Sequence, residues 1–292
     1  FNTIENLLDD KETVSTLEII KALPSKEIML DIDNLILIVS SWKKELEMQQ
    51  NLILKLDNLE KTKPETFAAT KNISNADIIR VNKKIYTAHR AEPLKVEFWK
   101  TNKDYSDKEL IIFMPGLGGD INNFNWIGEE LSKRGWPIVF LDHSGSNSET
   151  FMDVIEGKEA IPGGADFFLY RIKDLEAVLE AQKNGRFGIT NDSYILMGHS
   201  LGALIALLYE DNQPIYGLEK RCKLALTDFA VTNLSKLLQC QLSEITFPDK
   251  KFTNKAKAII GFNSFGSLIW PGEKRSGIDT PILLIGGTFD LI

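Results

Sequence analysis

The stretch best equipped for chemistry is Tyr194-Ile195-Leu196-Met197-Gly198-His199-Ser200-Leu201-Gly202-Ala203-Leu204. A short apolar run enters Gly-x-Ser-x-Gly, and Ala203 to Tyr209 then continues with the small and apolar residues of a buried helix. Strand, tight turn and helix in that order read as a nucleophile elbow. Such a turn lifts a serine hydroxyl above a sheet, and Gly198 and Gly202 leave room for strand and helix to pass closely. A serine hydroxyl is a weak nucleophile at neutral pH. Ser200 therefore needs a base to take its proton as it attacks a carbonyl, and the oxyanion that forms needs preorganised donors.

The elements that must position this serine follow from the periodicity. Ile78-Ile79-Arg80-Val81, Leu94 to Trp99 and Leu110-Ile111-Ile112-Phe113-Met114 read as strands separated by polar turns. The last is apolar throughout, as in a strand covered on both faces, and it opens into Pro115-Gly116-Leu117-Gly118-Gly119-Asp120. Trp126 to Lys133 has helical spacing, Pro137 to Asp142 is an apolar strand, and Ala165 to Lys183 is a long helical stretch before the elbow. Alternating strands and helices imply an α/β fold with a mostly parallel sheet and helices on both sides.

Residues 213–255 interrupt that rhythm with two candidate amphipathic helices, Leu218 to Ala230 and Leu234 to Leu242, and read as a cap over the strand ends. Ala258 to Phe262 and Pro281 to Ile285 supply the next two strands. Residues 1 to about 60 carry apolar positions three and four apart, such as Val14, Leu17 and Ile20, and read as a helical lead that packs on the main domain. With Lys61 to Thr66 as linker, the expected domains are 1–66 and 67–292.

Composition narrows the classes. The chain has 292 residues, 43% of them hydrophobic, enough for one sizeable core and a small accessory unit. The net charge of -7 comes from interspersed Asp, Glu and Lys, which argues against nucleic acid as a partner. No stretch approaches the ~20 apolar residues of a membrane span. Cys222 and Cys240 could form one disulfide in an oxidising compartment or stay as thiols in the cytoplasm; the base rate favours free thiols and a cytoplasmic setting. The chain starts at Phe1 without Met, which leaves export behind a removed leader open. No Cys-x-x-Cys and no His pair at ligand spacing occurs, so a structural zinc is not expected, and serine-based hydrolysis calls for no metal or organic cofactor.

Pro115 to Gly119, Leu141-Asp142-His143-Ser144-Gly145-Ser146 and Gly198 to Gly202 together resemble the α/β-hydrolase superfamily of serine esterases and lipases, from Ile78 to the last residue. Within it they look most like the branch of the platelet-activating-factor acetylhydrolases and their bacterial relatives. The helical lead and Asn233 to Cys240 are similar to a bacterial subgroup of uncharacterised hydrolases.

The resemblance implies Ser200 as nucleophile, with the backbone N–H groups of Leu117 and Leu201 as oxyanion donors. It also implies Asp290, a few residues past the last strand, as the acid, with Asp228 ranked second. Gly116, Gly118, His143 and His199 are candidate pocket residues. A triad of this fold runs Ser, Asp, His along the chain, yet His89, His143 and His199 all precede Asp290. His89 reads as exposed in a polar turn and His199 as packing. His143 follows a strand two positions from the elbow in the family's order, on the order of 10 Å away at ~4.8 Å per strand. The base is accordingly expected from a longer chain beyond Ile292.

The implied activity is serine-dependent hydrolysis of a small-molecule or lipid ester through an acyl-enzyme. An apolar set including Phe229, Leu237, Phe265 and Trp270 is a candidate acyl site. The rival readings are a noncatalytic lipid- or protein-binding module and an acyltransferase.

Overall fold

In the computed structural model the described residues are 16–23, 31–58, 77–102, 104–158, 165–211, 215, 217–227, 234–247, 254–270 and 277–287. The linker expected at 61–66 and the residues Asp228, Phe229 and Asp290 lie outside them. Two compact units are present, Phe1–Met48 and Gln49–Ile292. The helical character expected for the lead is found in α1 (Thr16–Ala22) and α2 (Ile32–Asp57). The 26-residue α2 carries Asp33 in its first turn and Lys55 in its last, each placed favourably for the helix dipole.

The second unit is built on strands β1 (Ile78–Ile85), β2 (Leu94–Thr101), β3 (Leu110–Met114), β4 (Ile138–Asp142), β5 (Tyr194–His199), β6 (Ile259–Phe262) and β7 (Ile282–Ile285). They form one sheet in the order β1-β2-β4-β3-β5-β6-β7. β2 runs antiparallel to β1 and β4, and the pairs from β4 through β7 are parallel. Parallel neighbours need crossovers, which are supplied by α3 (Asn125–Lys133), α4 (Ser148–Ile155), α5 (Asp166–Lys183) and α6 (Leu201–Glu210). α4 was not expected. It is a short helix in a Ser- and Asn-rich stretch, started by Asn147, whose side chain accepts from the Thr150 N–H.

The fully buried β3 shows why its sequence is apolar at every position. Leu110, Ile112 and Met114 pack with Phe168, Leu175 and Val178 of α5 and with Leu204 and Ile205 of α6. Ile111 and Phe113 pack on the other face with Trp99, Phe140 and Ile127 of α3. Sequence periodicity thus maps onto two layers of core, and the sheet's carboxyl edge is set by register: Met114 pairs with Gly198, and His199 with Phe262. The loops after β3, β4, β5 and β6 therefore open at one edge, where ligands bind in sheets of this kind.

Between α6 and β6 lie α7 (Leu218–Thr227) and α8 (Leu234–Gln241), the two helices expected of a cap. Cys222 and Cys240 are joined in a disulfide, not free as the base rate suggested. The two helices pack side by side and bring the Cα atoms 5.5 Å apart, within bridging range. Arg221 Nε donates to the Leu268 carbonyl, and the Leu268 N–H donates to Gln239 Oε1 at 2.8 Å. Phe265 is buried in the main core, Trp270 packs against that core, and Trp270 Nε1 donates to Asp211 Oδ2 at 2.6 Å. Both rings pack with the main core.

Candidate active site

Ser200 stands between β5 and α6 with φ 49° and ψ -116°, a conformation that is costly for a residue with a side chain. The surroundings hold it there. Its N–H donates to the Phe262 carbonyl at 2.8 Å, and its carbonyl accepts from the Leu204 N–H at 3.0 Å. A Cβ at Gly202 would lie 1.9 Å from the Met114 carbonyl oxygen, and one at Gly198 would lie 2.5 Å from the Gly202 carbonyl carbon. Only glycine allows β5, α6 and the end of β3 to approach this closely, so the spacing Gly-x-Ser-x-Gly is a steric requirement of the turn. Ser200 itself is partly exposed, while Leu201 opens α6 and is buried. N–H groups in a helix's first turn have no acceptor within the helix and carry its positive end.

The loop after β3 closes on the serine from the other side. A Cβ at Gly116 would stand 3.2 Å from Ser200 Cβ and 3.1 Å from His199 Nδ1. Gly118 has φ 65°, and its N–H donates to the Ser146 carbonyl at 3.0 Å. The Gly119 N–H donates to the Gly116 carbonyl at 3.2 Å. Among the described residues no backbone carbonyl accepts from the Leu117 N–H. The two loops that carry the candidate donors Leu117 and Leu201 therefore meet at Ser200.

Behind the loop is a buried polar cluster. The Asp174 carboxylate, on α5, is fully enclosed and accepts four hydrogen bonds: from His89 Nε2 at 2.8 Å, Arg90 Nε and Nη2 at 2.6 Å each, and His143 Nδ1 at 2.8 Å. Burial alone would raise its pKa, but the bonds from His143 and Arg90 hold it below the usual carboxylate range. His143 is 2% exposed, and burial, with the Arg171 charge nearby, pulls its pKa down to about 4. Its ring is neutral at pH 7, donating through Nδ1 and leaving a buried Nε2 without a hydrogen-bond partner among the described residues.

Two expectations change here. His143, a candidate pocket residue, is enclosed and bonded to the Asp174 carboxylate. His89, expected to be exposed, has a side chain only 14% accessible and is drawn to the same carboxylate.

His199 packs beside Phe124, ring centroids 5.4 Å apart, and against Gly116. Among the described residues no group of three His, Cys, Asp or Glu could hold a metal, and no helix is long and apolar enough to cross a membrane. Arg90, Arg171 and Asp174 were not singled out from the sequence, and Ser146 entered only as part of the motif after β4. One signal was present. Arg171 lies three residues after Phe168 and four before Leu175, inside the buried stripe of α5, where a charge needs buried partners.

Sheet order, elbow and crossing helices define an α/β-hydrolase-fold protein. A family model described as "Serine aminopeptidase, S33" matches residues 105–219, from just before β3 to the start of α7. None of the curated proteins matches the chain significantly. Among solved structures, one from Klebsiella pneumoniae assigned by name as a dienelactone hydrolase is similar at TM-score 0.42 and 12% identity, over 72% of each chain. That likeness is too distant to bear on the function.

Proposed function

We propose that the protein is a serine-dependent hydrolase of carboxylic esters that works through an acyl-enzyme. Ser200 attacks the carbonyl, and the N–H groups of Leu117 and Leu201 receive the charge that develops on its oxygen. Asp290 orients a histidine that follows it, in the chain order of this fold. The observation that carries the reading is the positive φ of Ser200 at the head of α6, with the Gly116 loop against its Cβ. The matched family description names an aminopeptidase, whose amide cleavage would share the same first step.

The test is reaction of the full-length protein with a fluorophosphonate probe and with p-nitrophenyl acetate, beside Ser200→Ala. Labelling should be confined to the parent, and the variant should keep its melting temperature while losing on the order of a million-fold in kcat, as when a triad serine is removed. An unlabelled parent, or equal labelling of both proteins, would overturn the proposal. Turnover of p-nitroanilides but not of esters would overturn the ester assignment alone.

A further inference from the structure

We infer that Arg171 is a positioning residue that sets the orientation of the oxyanion loop, an inference that rests on the reading of Ser200 as nucleophile. Arg171 is 1% exposed, and all its hydrogen bonds run to this loop and the next one. Nη1 donates to the Pro115 carbonyl at 2.6 Å, and Nη2 to the Gly116 carbonyl at 2.9 Å and the Ser146 carbonyl at 3.1 Å. Nε donates to Ser146 Oγ at 2.9 Å. Among the described residues no carboxylate is hydrogen-bonded to the guanidinium. Asp174 and Asp142 act on it only through space, and burial lowers its pKa to about 9, which leaves it protonated at neutral pH.

The geometry has a direct consequence for the other side of the loop. The Pro115–Gly116 and Gly116–Leu117 peptides are trans, so each N–H points opposite to the carbonyl of its own unit. One planar fork fixes both carbonyls, so the Gly116 and Leu117 N–H groups turn away from Arg171. Successive N–H groups presented together in this way make an anion-binding concavity. A Cβ on Gly116 would stand 3.2 Å from Ser200 Cβ, so the concavity opens beside the serine. The Ser146 carbonyl, shared by Arg171 Nη2 and the Gly118 N–H, ties the same loop to the one after β4. Arg90, His89 and His143 occupy the Asp174 carboxylate one turn further along α5, and among the described residues Arg171 forms no ion pair.

The experiment compares parent and Arg171→Lys, which keeps the charge but loses the planar fork. With p-nitrophenyl acetate we expect kcat to fall about 100-fold, the typical result of misplacing a preorganised donor, with KM within about twofold of the parent. Affinity for an alkyl trifluoromethyl ketone, which forms a tetrahedral adduct with a serine, should fall by the same factor. A parent-level kcat in a folded Arg171→Lys protein, or a change confined to KM, overturns the inference.

If Arg171→Lys does not fold, Ser146→Ala decides, because it keeps Arg171 and removes the acceptor of Nε, together with the bond from Ser146 Oγ to the His143 carbonyl. A drop in kcat at constant KM supports the inference, and a parent-level kcat overturns it. A parent that fluorophosphonate does not label sinks the reading of Ser200, and this inference with it. A labelled parent with an unaffected Arg171→Lys sinks the inference alone.

Discussion

The two loops that meet at Ser200 are held by opposite means. The elbow is fixed by steric exclusion: two glycines pressed against backbone, and a helix whose ten residues are all buried. The loop after β3 is fixed by charge, through a buried guanidinium on its carbonyls and a buried carboxylate beyond it. Close packing tolerates no added atom but is indifferent to pH. A buried polar network tolerates changes of shape poorly as well, and in addition depends on the protonation of its members. The difference teaches that one site can draw its rigidity from two sources that fail under different conditions.

The comparison is most severely tested by Gly202→Ala. The new Cβ would meet the Met114 carbonyl oxygen at 1.9 Å, and backbone must move to relieve it. We expect a loss of more than about 3 kcal/mol, above the common range for overpacking, read from urea denaturation. A loss under about 1 kcal/mol would show that the elbow is not sterically fixed.

Acidification tests the other loop. His143 has a folded pKa of about 4 against an ordinary 6.5, so between those values the unfolded chain binds a proton that the folded one refuses. Stability should therefore fall as pH drops from 6.5 to 4, by about 3 kcal/mol at 1.36 kcal/mol per unit. Asp174, depressed in the fold, adds a further loss only below its ordinary 3.8. Urea midpoints across this range should slope in the parent and flatten in His143→Asn. Equal slopes would remove His143 as the cause. The smallest effect is expected for Ser200→Gly, which relieves a positive φ and should stabilise by about 1 kcal/mol while abolishing activity.

The same division explains what could be read in the sequence. The elbow was legible because its determinants are local: a strand, two glycines and a helix, all between Tyr194 and Glu210. The sheet and its apolar central strand were legible for the same reason. The cluster was not, because its bonds join residues 31 to 85 positions apart and nothing near His89 or His143 indicates a carboxylate on α5. The stripe of α5 did hold a visible anomaly in Arg171, though its partners are carbonyls, which no side-chain pattern reveals. The cysteines needed the packing of α7 on α8, which a separation of 18 positions leaves undetermined.

The contacts of Arg171 reach beyond orientation. A cation that draws electron density toward the oxygens of Pro115 and Gly116 polarises the whole of each amide, by roughly 10–30% per bond in chains of hydrogen bonds. The hydrogens at the far end become more positive and bind an anion more strongly than those of an unassisted peptide would. A positive charge sealed inside the protein is in this way transmitted, without any proton moving, to the surface that faces Ser200.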